Sequence, residues 1–370
     1  MHHMQAEAEP GLPYRLHLRI EADGTAVLIV NASIILHLNQ TAAAHAFELV
    51  RGASETEAAR SMAQRYRVGY SRALQDHRSL RQQILSLAIA RDLDPVVYLD
   101  MDRRDPQSQA PSAPYRLDIA LTYLQDPDGR LDPLARRRVD RELSTDEWKG
   151  ILSKAWEAGV PHVAFTGGEP TRRHDLVDLV RHAESLGLVT GLCSEGCRLA
   201  DPQYLNDLSQ AGLDHILIAL PPDDPAARQG LANAVASDVY TAVHLTLMPG
   251  QENALRETAK SLKAQGVQAV SLSGGPEAPP ESLAKVRNLA AELDLDLVWD
   301  LPAPYTAVNP IALETRTPAD VLRLTSLYVE PDGDVLPAQG IDKVLGNLAG
   351  ESWATVWARA VAAAASGVPK

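Results

Sequence analysis

A short stretch of glycine, glutamate and proline follows one of the apolar runs of the chain. It reads Phe165-Thr166-Gly167-Gly168-Glu169-Pro170, and we predict a strand over 162–166 that ends there. Adjacent glycines let the backbone approach a ligand closely. The Glu169 carboxylate can accept hydrogen bonds from an ammonium group, and the first N–H groups of a following helix can bind the other end of the ligand. The candidate binding site is therefore Gly167, Gly168, Glu169 and Pro170, although Glu169 could equally cap the helix that starts near Thr171.

The chain has two cysteines, Cys193 and Cys197, among its 370 residues. Two thiols exclude a disulfide framework. Two thiolates are too few for a four-cysteine metal site, although histidine or aspartate could complete a zinc site. We therefore predict two reduced thiols near a strand end and no bound metal. Iron or zinc held by Cys193 and Cys197 is the alternative hypothesis.

The middle of the chain, residues 115–301, repeats strand and helix patterns. This alternation predicts an α/β fold with a parallel sheet and right-handed crossovers, and the number of units suits an open or partial (β/α) barrel. The predicted strands are 117–121, 162–166, 189–192, 215–219, 242–247, 269–272 and 295–299. The predicted helices are 145–158, 175–186, 202–211, 253–265 and 280–293. In such a barrel the binding groups lie at the carboxyl ends of the strands, where Glu169 falls.

Smaller segments flank this region. Residues 1–12 are predicted to be a disordered N-terminus, and 99–114, rich in proline and small polar residues, to be a linker. Residues 302–370 form a C-terminal region with a hairpin around Asp332-Gly333 and a helix from Ser352.

Residues 13–98 form a small α+β domain in this prediction. Alternating residues over 14–20, a turn at Asp23-Gly24 and two apolar runs predict three strands. The strands are 14–20, 26–30 and 34–38, and the helices that follow are 42–50, 54–66 and 71–88.

The region 115–301 resembles the radical S-adenosylmethionine (SAM) enzymes. The resemblance rests on the Gly-Gly-Glu-Pro motif, on Leu121-Thr122-Tyr123, and on Glu142-Leu143-Ser144-Thr145-Asp146-Glu147-Trp148 before the first helix. It implies a partial TIM-like barrel of the radical SAM type, in which the Gly-Gly-Glu-Pro motif meets the methionyl amino group of SAM. Residues 302–370 resemble a short SPASM domain, through Pro331-Asp332-Gly333 and Gly346-Asn347-Leu348.

The chain departs from that family where cysteines are expected. Members of the family hold a [4Fe–4S] cluster on three closely spaced cysteines after the first strand, whereas 124–141 contains none here. Ala338 stands where a SPASM domain has a cysteine, and Ser194-Glu195-Gly196 replaces the usual Thr-Asn-Gly. Because such a cluster is held by thiolates, we expect no [4Fe–4S] cluster. Without the iron, Gly167, Gly168, Glu169 and Pro170 could still hold part of SAM in a residual site, but more weakly.

Residues 13–98 resemble the PqqD-like family, the recognition elements of ribosomally synthesised peptides (RiPPs). Asn31, the Leu38-Asn39-Gln40-Thr41-Ala42 step, and Gly52, Ser54 and Glu57 before the next helix carry the resemblance. It implies a winged-helix-like module in which a leader peptide binds to the third strand, Ile34, Ile35, Leu36, His37 and Leu38, and to the last helix. An edge strand offers unpaired N–H and C=O groups to an extended peptide. The alternative is an accessory docking domain without a peptide ligand.

Composition narrows the choice of partners. A formal net charge of −13 argues against a nucleic-acid partner. No apolar run reaches the ~20 residues of a membrane helix, and the first residues lack the apolar region of a signal peptide. We therefore expect a cytoplasmic protein without a membrane partner.

Together these patterns favour a non-catalytic protein. We predict a cluster-free, radical-SAM-like scaffold that binds a precursor (leader) peptide during maturation of a RiPP or of a peptide-derived cofactor, with an active radical SAM maturase as a further partner. The alternative hypothesis is a SAM-binding enzyme of the radical SAM fold that runs non-radical chemistry on a peptide.

Overall fold

The structure, a computed structural model, describes most of the chain in two compact units. The described residues are 1–32, 34–89, 111–124, 139, 141–220, 224–247, 250–274, 288–297, 324–339, 341 and 343–365. The first unit is Met1–Ser112 and the second is Ala113–Lys370.

The first unit is a four-stranded antiparallel sheet covered by three helices. The strands are β1 (His2–Glu9), β2 (Leu12–Ile20), β3 (Ala26–Val30) and β4 (Ile34–Leu38), and the helices are α1 (Gln40–Val50), α2 (Glu55–Tyr66) and α3 (Tyr70–Ile89). Alternate residues of the strands pack against α1 and α3, including Leu18, Leu28 and Leu36 opposite Ile84 and Leu87. The strand order is β1-β2-β3-β4, so β4 is an edge strand.

Local capping explains where these helices begin. The Asn39 side chain accepts a hydrogen bond from the Ala42 N–H at the start of α1. Ser54 and Glu57 form a reciprocal capping box at the start of α2. Three of the residues that carry the family resemblance in this unit, Asn39, Ser54 and Glu57, are therefore helix-capping residues.

The N-terminus differs from the prediction. Residues 1–12 are not a disordered segment, because β1 pairs antiparallel with β2 from His2 opposite Leu18 onward. Its composition is polar, and its strand conformation depends on the hydrogen bonds that β2 offers, which a local pattern does not reveal.

The second unit is built on a ten-stranded sheet in its described residues. The strands are β5 (Arg116–Thr122), β6 (His162–Gly167), β7 (Val189–Ser194), β8 (His215–Ile218), β9 (Tyr240–Leu247), β10 (Ala269–Gly274), β11 (Asp296–Leu297), β12 (Ser326–Val329), β13 (Asp334–Leu336) and β14 (Gly346–Asn347). The helices are α4 (Thr145–Ala158), α5 (Leu176–Leu186), α6 (Pro202–Gln210), α7 (Pro225–Val235), α8 (Glu252–Ala264) and α9 (Trp353–Ala365).

The sheet has the order of a parallel barrel sheet with an added edge. From β11 to β5 neighbouring strands are parallel and follow in chain order. β12 then pairs in parallel with the other side of β5, and β13 and β14 add antiparallel strands. The C-terminal hairpin, predicted around Asp332-Gly333, is thus confirmed, and it extends the barrel sheet.

The two faces of this sheet differ in chemistry. Apolar residues such as Ile119, Phe165 and Ile216 pack with Trp148 and Leu179 of the helices into one large core. The alternate residues on the other face include Asp118, Thr166, Cys193, His244 and Ser271, all at least partly buried. In parallel α/β sheets of this kind, ligands bind at the carboxyl ends of the strands.

Several predicted segments have other bounds or lie outside the described residues. Helix α7 was not predicted, although Asp224 caps it and Pro225 begins it. The predicted linker over 99–114 and the helix over 280–293 fall largely outside the described residues. In the part of the chain that the structure describes, no helix has both the length and the apolar character needed to cross a membrane.

Candidate functional site

The two glycines bring the end of β6 against the end of β5. The Gly168 N–H donates to the Thr122 carbonyl at 2.8 Å, and the Glu169 N–H donates to the Leu124 carbonyl at 2.6 Å. A Cβ atom on Gly168 would lie 2.1 Å from the Leu124 oxygen, and one on Gly167 would lie 2.2 Å from the Thr122 oxygen. The glycines are therefore required for the close contact with the chain after β5, whereas the sequence predicted that they allow close approach of a ligand.

The Glu169 carboxylate joins the ends of β6 and β7. Its Oε1 accepts from the Thr171 N–H at 3.0 Å and from the Thr171 hydroxyl at 2.6 Å. The Ser194 hydroxyl lies 2.9 Å from Oε1, and Oε2 accepts from the Glu195 N–H at 2.7 Å. Burial raises the pKa of Glu169, and these hydrogen bonds oppose that rise. Glu169 thus caps the turn at Thr171 and also links the ends of β6 and β7. Its Oε2 accepts fewer hydrogen bonds than its Oε1 does.

Pro170 begins a short 3₁₀ helix, Pro170–Arg172, and α5 starts only at Leu176. The Thr171 N–H is already bonded to Glu169. Thr171 therefore does not offer the free N–H group that was expected at the start of a long helix. Its N–H already donates to the Glu169 side chain.

A second polar network lies beside the glycines. Arg173 donates two hydrogen bonds to Asp175, at 2.9 and 2.7 Å, and further ones to Glu142 and to the Leu143 carbonyl. Thr122 donates to Glu142, which links β5 to this network. Burial acts to raise the pKa of Asp175, but hydrogen bonds from Arg173 and Thr145 outweigh it and lower that pKa. Both flanks of 124–141 are therefore held by ionic hydrogen bonds.

The C-terminal hairpin contacts the same loop through a buried tyrosine. The Tyr123 hydroxyl donates to Glu330 at 2.9 Å and lies 3.4 Å from the Tyr328 hydroxyl. Burial, followed by the neighbouring Tyr328 and Glu330, raises the Tyr123 pKa far above its usual range. These contacts join residues about 200 positions apart in the sequence, and nothing in the local sequence pattern could have predicted them.

Sequence reasoning also missed a polar pair on the inner face. His244 of β9 lies directly opposite Ser271 of β10, and its Nδ1 is 3.2 Å from the Ser271 hydroxyl oxygen. Burial lowers the His244 pKa to about 4, so the ring is neutral at physiological pH. The period-two alternation of β9 was the available signal, because it places His244 on the face opposite Val243 and Leu245.

The two cysteines lie at the end of β7 and beyond it. Cys193 is buried, and Cys197 begins a 3₁₀ helix, Cys197–Ala200. Burial and the nearby Glu169 charge raise the pKa of Cys193 well above its ordinary value, which disfavours the thiolate that a metal needs. Iron or zinc held by Cys193 and Cys197 stays the alternative hypothesis.

The predicted peptide strand is placed as expected in the first unit. Ile34–Leu38 is β4, and it pairs with β3 only in the described sheet. Leu36 and Leu38 are buried against the helices, whereas Ile35 is 39% exposed. The edge position is confirmed, and peptide binding by these residues stays a prediction.

This fold and this strand-end site define a class of protein. Residues 123–229, which contain the glycines, Glu169 and both cysteines, match the sequence model of the radical SAM superfamily. The Streptococcus suis protein SuiB bound to S-adenosylmethionine has a similar fold, with a TM-score of 0.60, 14% identity, and coverage of 96% of this chain and 88% of that one. SuiB bound to its precursor peptide SuiA gives a TM-score of 0.59, 13% identity and the same coverage. The molecule thus has the radical SAM α/β fold.

Two proteins named PqqA peptide cyclase are similar to this chain in sequence. The PqqA peptide cyclase of Rhizobium meliloti is 28% identical over 286 residues, which cover 68% of this chain and 73% of that protein. The PqqA peptide cyclase of Bradyrhizobium diazoefficiens is 44% identical over 105 residues, which cover 28% of this chain and 26% of that protein. The comparisons support a radical SAM family of peptide-maturing enzymes.

These findings overturn the predicted function. The prediction of a non-catalytic, cluster-free scaffold is wrong, since the relatives carry the name of an enzyme and the fold is that of a SAM-bound protein. That prediction inferred a loss of activity from the missing cysteines, although the strand ends and the fold are retained. The enzymatic alternative is favoured instead.

The expectation of no [4Fe–4S] cluster is contradicted by the same comparisons, which point to SAM together with such a cluster. The cysteine thiols that such a cluster needs are a separate question. The loop over 124–141 contains no cysteine, and the thiols of the chain are Cys193 and Cys197. These residues do not fit a three-thiolate site.

Proposed function

We propose that this chain is a SAM-binding enzyme that modifies a ribosomally made precursor peptide. The observation that supports this best is the retained strand-end site, which lies within the region 123–229 that matches the radical SAM superfamily. The relatives named PqqA peptide cyclase support a peptide as the substrate.

Glu169 supplies the charge that the site needs. A buried carboxylate beside the ends of β6 and β7 attracts a positively charged amino group, and Oε2 accepts two hydrogen bonds where Oε1 accepts three. Ser194 and Thr171 hold the carboxylate in one orientation. In this proposal the amino group of SAM binds at this edge, and Glu169 orients it.

The inner face of the sheet supplies the surface for the substrate. His244, Ser271 and the flanking Thr246 and Ser273 form two polar rungs toward the carboxyl ends of β9 and β10. In this proposal the paired His244 and Ser271 are the polar groups that a side chain of the peptide meets on this face.

The first unit recruits the peptide in this proposal. β4 is an edge strand in the described sheet, and an extended segment can add to it. The unit's PqqD-like character and the SPASM-like character of the C-terminal region are part of the proposal, and their support is the sequence resemblance.

The test is a product assay. The full chain is incubated with SAM, a low-potential reductant and synthetic PqqA peptide under anaerobic conditions, and peptide masses are measured. We expect a SAM-dependent change in peptide mass that disappears in Glu169→Ala and persists in Glu157→Gln, an exposed glutamate on α4. If folded wild-type protein leaves the peptide mass unchanged in this assay, the proposal is contradicted.

A further inference from the structure

The turn between α2 and α3 carries unpaired positive charge on an acidic protein. Residues 40–89 contain seven arginines, no lysine and four carboxylates, whereas the whole chain has a formal net charge of −13. Four of the seven arginines pair with carboxylates: Arg51, Arg72, Arg78 and Arg81. Positive charge is therefore concentrated on the remaining three.

Arg60, Arg65 and Arg67 have no carboxylate within ion-pair distance among the described residues, and all three are exposed. Arg65 lies over the Tyr66 ring, 5.5 Å from its centroid, which holds the guanidinium at the surface. Val68 and Tyr70, in the same turn, are 42% and 41% exposed. Arg60 lies in the middle of α2, and we name the other four residues, Arg65, Arg67, Val68 and Tyr70, the arginine corner.

A structural role accounts for only part of this cluster. Arg65 lies in the last turn of α2, where a cation stabilises the helix dipole. Arg67 has a left-handed backbone, with φ at 53°, and serves as the C-cap through its N–H. Neither role needs the Arg67 guanidinium or the exposed Val68 and Tyr70. Exposed apolar side chains beside unpaired guanidinium groups are typical of an interaction surface.

The end of α2 that carries Arg65 contacts the residue that begins α1, just after the edge strand. The Tyr66 hydroxyl donates to the Gln40 carbonyl at 3.0 Å, and Gln40 follows β4 by two residues. A peptide that added to β4 would therefore pass the corner at the Leu38 end of the strand.

We infer that the arginine corner binds an acidic segment of the precursor peptide that is adjacent to the segment paired with β4. This inference rests on the proposed function, and it adds the chemistry of the recognised peptide. Guanidinium groups pair with Asp and Glu carboxylates in a bidentate way, and Val68 and Tyr70 would cover an apolar residue next to them. Long-range electrostatic attraction would also draw an acidic segment toward these arginines, because the chain as a whole carries a formal net charge of −13.

The test uses fluorescein-labelled PqqA peptide and a twin in which Asp and Glu are replaced by Asn and Gln. Fluorescence anisotropy is measured with the full chain, with the Arg65→Gln/Arg67→Asn double variant and with an Arg181→Gln/Arg256→Gln control on the second unit. Asn at position 67 tolerates the left-handed backbone, and circular dichroism confirms folding. We expect Kd for the acidic peptide to rise at least tenfold in the double variant only, and the twin to bind all three proteins equally weakly.

Other outcomes separate the two claims. If both double variants bind the acidic peptide as wild type does, while Ile35→Glu in β4 abolishes binding, the arginine corner is excluded and the proposed function stands. If the acidic peptide and its twin bind wild type with equal Kd, the inference is also overturned. If wild type binds neither peptide at tens of micromolar, both the inference and peptide recruitment by the first unit fail.

Discussion

At the scale of single residues, the strand-end site is held together by bonds within the protein. The Glu169 carboxylate accepts hydrogen bonds from Ser194, Glu195 and Thr171. The two glycines allow the chain after β5 to pack closely against the end of β6. Sequence inspection singled out Gly167, Gly168 and Glu169, because glycines allow close backbone approach and the carboxylate follows a predicted strand within a strand–helix repeat. It could not identify their partners, since Ser194 and Leu124 lie far from them in the chain.

Gly168→Ala tests the close approach of the two strand ends. A Cβ there would lie 2.1 Å from the Leu124 carbonyl oxygen, so the backbone must move. We expect a loss of about 2–3 kcal/mol in the free energy of unfolding. Gly150→Ala is the matched control, because a Cβ at Gly150 in α4 meets nothing within 4 Å, and we expect stability to rise by up to about 1 kcal/mol there. Equal thermal melting temperatures for the two variants would show that the close approach is unimportant.

Glu169→Gln tests the carboxylate clasp. The amide nitrogen cannot accept a hydrogen bond from Thr171 or Glu195, so one buried donor loses its partner. We expect destabilisation of about 1–3 kcal/mol and at least a tenfold weaker affinity for SAM by isothermal titration calorimetry. Glu157→Gln should leave both quantities unchanged, and a Glu169→Gln protein that binds SAM like wild type would remove Glu169 from the site.

At the scale of elements, the sequence predicted most of the strands near the site. β3 and β4 have the predicted bounds, and β5 to β7 exceed them by one or two residues, because apolar runs bounded by turns mark strands well. α4 has the predicted bounds because Ser144 and Glu147 form a capping box. β1 and the parallel pairing of β12 with β5 were not predictable, since both depend on partner strands.

Ile35→Glu tests β4 as the peptide-binding edge. Ile35 is exposed on β4, and a charge there would oppose an apolar contact with an added strand without disturbing the buried Leu36. We expect at least a fivefold rise in Kd for labelled PqqA peptide, measured by fluorescence anisotropy. Leu12→Glu is the control, because Leu12 is similarly exposed but lies on β2. Equal effects of the two substitutions would contradict a role for β4.

At the scale of the whole molecule, buried histidines make the second unit sensitive to acid. Burial, followed by the Arg116 charge, lowers the pKa of His215 to about 4 from the usual 6.5. Its neutral form therefore stabilises the fold above pH 6.5, and this contribution is lost as the pH falls from 6.5 toward 4, because the unfolded chain takes up the proton first.

Urea unfolding at pH 7.5 and pH 5.0 measures this sensitivity. All five tryptophans lie in the second unit, so their fluorescence reports on it selectively. We expect His215→Gln to reduce the difference in unfolding free energy between the two pH values by about 2 kcal/mol. His174→Gln, an exposed histidine, should leave the difference unchanged. A His215→Gln protein with the wild-type pH dependence would contradict the account.

The central claim is that this chain is an enzyme that binds SAM at the strand-end site. The most direct measurement is a calorimetric titration of SAM into the full chain, with Glu169→Ala and Glu157→Gln titrated in parallel. The account predicts saturable binding with a one-to-one stoichiometry for wild type and Glu157→Gln, and its loss in Glu169→Ala. Absence of SAM binding by folded wild-type protein at millimolar SAM would contradict it.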